Sequence, residues 1–84
     1  MIVKVIAQIE NDFMEKIIEI VEDTESLNNF EKCFDEVVKT WQEKCKGMKC
    51  FHNMFDLFEE LLSENNIGFY CFEDNVDTII KAKG

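Results

Sequence analysis

The 84-residue sequence predicts an α+β fold in which two amphipathic helices cover a small antiparallel sheet, in the order ββααββ. Three observations carry this. Isoleucine and valine dominate two N-terminal arms that flank a polar turn. The middle of the chain repeats apolar residues at steps of three and four. Two short aromatic or β-branched runs close the chain. Hydrophobic residues make up 46% and include eight phenylalanines, enough for one core, so residues 1–84 are read as a single compact domain.

The arms IVKVIAQIE and FMEKIIEIVED read as a β-hairpin around Asn11-Asp12. That register sets Ile9 against Met14, Val5 against Ile18, Val3 against Ile20 and Lys4 against Glu19. Apolar meets apolar and Lys meets Glu. Ala7 opposite Lys16 is its weak pair. The competing reading is a helix over 13–22, with Phe13, Ile17, Ile20 and Val21 as its stripe and Asp12 with Glu15 as a capping box.

The first helix is capped by Thr24 or Ser26. Its stripe is Leu27, Phe30, Phe34, Val37, Val38, Trp41 and Cys45, and Gly47 stops it. The second starts near Asn53, buries Met54, Phe55, Phe58, Leu61 and Leu62, and ends at Asn65 and Asn66. IGFYCF, residues 67–72, reads as a strand, and Glu73-Asp74-Asn75 as a turn. VDTIIK, residues 76–81, is a last strand or a single helical turn, with the strand preferred.

The connection KCKGMKCFH, residues 44–52, gathers the chemistry-bearing side chains. Cys45, Cys50, His52 and Cys71 are suitable in kind for zinc. The local C-x4-C-x-H spacing is loose, and Cys45 lies on an apolar stripe, so burial explains it. There is no C-x-x-C, and Cys50 with His52 lacks an orienting third group. No Gly-rich phosphate cradle occurs. The stretch reads as a loop between helices and, second to that, as a contact surface. No catalytic residue, metal or cofactor is expected, and the chain is read as non-enzymatic.

Formal net charge is −9, from 18 acidic and 9 basic residues. Direct nucleic-acid binding needs a basic footprint and is excluded. The start, MIVKVIAQIE, is broken by Lys4 and Gln8 and is not expected to be a signal peptide. No apolar run approaches the roughly 20 residues of a membrane span. Cysteines are expected as thiols in the cytoplasm.

The acids cluster. Asp12, Glu15, Glu19, Glu22, Asp23 and Glu25 lie close together along the chain, and Asp35 and Glu36 follow on the outer side of the first helix. Glu15 and Glu19 share a strand face, roughly 13 Å apart, comparable with phosphates along one DNA strand. Fixed carboxylates can take bidentate bonds from arginines that otherwise hold phosphate or guanine.

In its small size, acidity, Lys/Asn/Ile/Glu/Phe-rich composition and lack of Pro and Arg, the chain resembles the small anti-defence proteins of phages and mobile elements, notably anti-CRISPR proteins. The acidic stretch IAQIENDFMEKIIEIVEDTES followed by LNNFEKCFDEVVKTW is similar to their joining of an acidic hairpin to helices. The resemblance is one of architecture and composition and involves no shared motif. It implies a DNA mimic that fills a basic groove on a Cas nuclease or effector complex in the host cytoplasm and prevents target engagement. The eight acids named above would then form the partner-binding surface. The alternative is a regulatory or oligomerising module acting through an apolar patch or the Phe69–Phe72 edge, including pairing with a second copy.

Overall fold

Alternation along the N-terminal arms sets the architecture. In the computed structural model, which describes residues 1–71 and 75–84, β1 spans Ile2–Ile9 and β2 spans Asp12–Ile20. Residues 13–20 are therefore strand and not helix. Val3, Val5 and Ala7 of β1 are buried on one face, with Ile18 and Ile20 of β2 beside them. This is the period-two burial that a sheet covered on one side requires.

The hairpin turn lies one residue earlier than expected. Ile9 pairs with Asp12, leaving Glu10 and Asn11 at the turn, and Glu10 adopts φ 56°. Val3 consequently faces Ile18 and Val5 faces Lys16. This register differs from the expected one by two residues, so every side chain keeps its face. It lets Lys4 reach Glu15 diagonally at 3.2 Å and aims Lys16 at Glu59 of the second helix. Ala7 now lies opposite Met14, which removes the weak Ala7–Lys16 pair.

Helix α1 spans Thr24–Cys45, and its N-cap is Asp23, whose carboxylate accepts from the Ser26 N–H at 2.7 Å. Neither Thr24 nor Ser26 is the cap. Ser26 is buried and its hydroxyl accepts instead from the Gly68 N–H at 2.9 Å. The helix ends where Gly47 takes φ 85°. Helix α2 spans Phe51–Glu64, two residues earlier than expected, with Cys50 at the N-cap position and no side-chain cap. Half-buried Phe51 at the first helical position packs against the core. Its C-terminus is a Schellman motif. Ile67 N–H donates to Leu62 O, Asn66 N–H donates to Ser63 O, and Asn66 sits at φ 56°.

Strand β3 spans Phe69–Cys71, and Ile67 before it is buried in the core. Phe72, and the expected turn at Glu73 and Asp74, lie outside the described residues. Strand β4 spans Thr78–Lys83 and confirms the strand reading of this segment, two residues later than expected. The sheet order is β3-β2-β1-β4. The α+β class and the order ββααββ stand, but the sheet is mixed, because β4 runs parallel to β1. Asp77 explains the placement. Its N–H donates to Ile2 O at 2.9 Å and its carboxylate accepts from the Ile2 N–H at 2.8 Å. The entry to β4 is thereby clamped beside the start of β1, so β4 takes that edge and forms no hairpin with β3.

Both helices pack on the face of Val3, Val5 and Ile18, α1 toward β4 and α2 over β1 and β2. Met54, Phe55, Phe58, Leu61 and Leu62 of α2 are all buried, as are Val37, Trp41 and Cys45 of α1. The Trp41 indole N–H donates to Met54 O at 2.8 Å, and its ring meets Phe58 edge-on with centroids 5.0 Å apart.

Two outcomes follow for urea unfolding. Trp41→Phe lowers stability by about 1–2 kcal/mol, the combined loss of a buried hydrogen bond and of volume. Glu10→Gly raises it by roughly 0.5 kcal/mol, since glycine relieves the left-handed strain but loses more chain entropy.

Candidate functional site

The acidic residues fall into two groups set by the fold. Glu15 and Glu19 project from β2 on the face opposite Ile18 and Ile20, away from the helices. Glu22, Asp23 and Glu25 follow at the β2–α1 junction, and all three are exposed. Asp12 is exposed beside the hairpin turn. Asp35 and Glu36 are exposed on α1, which packs on the other side of the sheet. Glu15 and Glu19 thus lie on the opposite side of the domain from the helix carboxylates, linked to them by the junction, whereas Asp12 has the helix-side parity of Ile18 and Ile20.

Three of the eight are already engaged. Asp23 caps α1. Glu15 pairs with Lys4 at 3.2 Å. Glu19 accepts from the Tyr70 hydroxyl, and this bond, with the nearby charge of Glu22, pushes the tyrosine pKa up. Among the described residues, Asp12, Glu22, Glu25, Asp35 and Glu36 hold no ion pair. These are the carboxylates best placed to meet an outside cation.

Glu22 and Glu25 flank a crowded junction. Val21 N–H donates to Gly68 O at 2.8 Å, Gly68 N–H donates to Ser26, and the Asn29 amide donates to Asn66 O at 3.1 Å. A Cβ at Gly68 would approach Ser26 Oγ to 3.0 Å and Val21 Cγ2 to 3.2 Å, so this position favours glycine. An open groove bordered by Glu25, Ser63, Asn66 and Phe69 lies beside it. The junction is therefore tied from three sides, and its carboxylates start from a fixed backbone.

Residues that sequence reasoning missed are long-range partners. Tyr70 meets Glu19 across the β2–β3 pair, where they are direct neighbours. Lys16 meets half-buried Glu59 of α2, and this hydrogen bond raises the lysine pKa. Correct strand order would have shown the first, and correct register the second.

The cysteines and histidine do not converge. Cys45 is fully buried, whereas Cys50, His52 and Cys71 are exposed. No cluster of three or more metal-ligating side chains occurs among the described residues. Burial pushes the Cys45 thiol up to about 11 from an ordinary 9.0. No helix is long and apolar enough to cross a membrane among the described residues. Comparison with protein-family models, curated proteins and solved structures finds no match.

Alkaline stability tests the burial of Cys45. Between pH 9.0 and about 11 the unfolded chain loses the thiol proton while the folded chain keeps it. The folded state then binds more protons, so stability falls as pH rises through this window. Lys16 and Tyr70, both raised, act in the same direction. Urea titrations at stepped pH will show a shallower decline for Cys45→Ala than for the parent.

Proposed function

We propose that this protein is a non-enzymatic, acidic binding module that occupies a basic nucleic-acid groove on another protein, a host defence nuclease of the CRISPR effector type. The observation that carries this reading is the exposed carboxylate group of the β2–α1 junction, held on a tied backbone in a chain of net charge −9. Glu22 and Glu25 lead, Glu19 and Asp23 adjoin them, Glu15 extends the surface along the hairpin, and Asp12 adds its charge at the hairpin tip from the helix-covered side. Asp35 and Glu36 support it through the field of the whole domain rather than by contact on the same side.

The physical mechanism is competition. Arginines that read phosphate or a short recognition motif are met by carboxylates already fixed in place. Displacement needs no chemistry, only a favourable exchange of ion pairs. Steering by the net charge speeds the encounter and makes it salt-dependent.

Charge reversal tests this directly. Asp12→Lys, Glu22→Lys and Glu25→Lys together avoid the capping Asp23 and the paired Glu15. The triple variant will keep its circular dichroism and lose protection of a plasmid targeted by a CRISPR effector, with binding at least about tenfold weaker. Full protection by the folded triple variant would rule out this surface.

A further inference from the structure

We propose that two copies of this chain associate through the sheet face that the helices leave uncovered, across a two-fold axis running along β1. The face is apolar at its centre and oppositely charged at its sides. From β4 it receives Ile79, Lys81 and Lys83; the strand's alternate residues Ile80 and Ala82 are buried under the helices. From β2 it receives Phe13, Glu15 and Ile17, whose alternates Ile18 and Ile20 are buried likewise. Between them β1 contributes half-buried Ile6. Ile79 and Phe13 are each 61% exposed, well beyond what one-sided burial of large apolar side chains normally leaves.

The register places these side chains in rows. Lys4 separates Ile79 from Ile17, Ile6 separates Lys81 from Glu15, and Gln8 separates Lys83 from Phe13. A two-fold axis along β1 lays β4 of one copy over β2 of the other and preserves each row. Ile79 then meets Ile17, and Ile6 meets Ile6. Lys81 meets Glu15, while the Lys83 stem and ammonium lie over the Phe13 ring. A two-fold axis across the strands would instead set β4 on β4 and oppose lysines. Charge complementarity therefore selects one partner, a second copy, and one orientation. Lys4 lies near the axis but is folded onto its own Glu15 at 3.2 Å, so the two ammoniums are not left opposed.

The patch measures roughly 14 Å across and 20 Å along, from strand and residue spacings. That is about 280 Å² per copy, well below the roughly 800 Å² per partner of a standard interface, so the association is weak and its dissociation constant is expected on the order of a hundred micromolar. The inference does not rest on the proposed function. The two surfaces share Glu15, but Glu22 and Glu25, which lead the proposed function, lie past the end of β2, and Asp35 and Glu36 lie on α1.

Sedimentation velocity in near-physiological salt, over about 1 to 500 µM, tests it. The parent will show a monomer–dimer equilibrium. Lys81→Glu and Glu15→Lys will each weaken it by at least about tenfold, because each sets like charges together at two symmetric places. Mixing the two variants will restore dimers, since both contacts between positions 81 and 15 are then opposite in sign. A parent monomeric throughout, a dimer indifferent to Lys81→Glu, or two folded variants that fail to recover on mixing would each overturn the proposal.

Discussion

Trp41 is the residue on which the two-layer arrangement depends. It is fully buried, donates its only polar hydrogen to Met54 O, and meets Phe58 edge-on. A hydrogen bond in this setting fixes direction as well as distance, because an unpaired indole N–H in the core is costly. It thereby sets α1 against the first turn of α2. That fixes which face of each helix points at the sheet. The apolar faces of β1 and β2 are then covered by one helical layer, and the opposite sheet face keeps the side chains that alternation leaves there.

That division gives the domain two kinds of surface. The helix-covered side uses its apolar residues internally. The other side mixes Ile79, Phe13 and Ile6 with Lys81 and Glu15, while the β2–α1 junction presents carboxylates. The net charge of −9 is thus not uniform. Lysines line the β4 side of the uncovered face and acids the β2 side. A single charge total would hide that pattern, which matters more for recognition than the total does.

Local physics was legible in the sequence. The helix stripes through Val37, Trp41 and Cys45, and through Met54, Phe58 and Leu62, are the buried faces observed. Gly47 ended α1, and Asn66 accepted the left-handed conformation that ends α2. Non-local choices were not legible. The turn lies at Glu10-Asn11 and places positive φ on Glu10 rather than on the turn-favouring Asn11, which residue type alone does not signal. The parallel pairing of β4 depends on Asp77 finding Ile2, 75 positions apart in the chain. The acidic residues could be counted along the chain, but their division between two sides of the sheet required strand order and helix placement. Pattern within one element carries period and caps; it does not carry which element lies beside which.

In the proposed function, junction carboxylates compete with nucleic acid for a basic groove. The most direct measurement is displacement of fluorescent target DNA from purified CRISPR effector complexes, run as a panel at low and high salt. Displacement is expected from at least one effector, steeply weakened by salt, with no cleavage or modification of the DNA or the effector by the protein itself. Failure to displace DNA from any member at low salt, or displacement that high salt leaves unchanged, would contradict it.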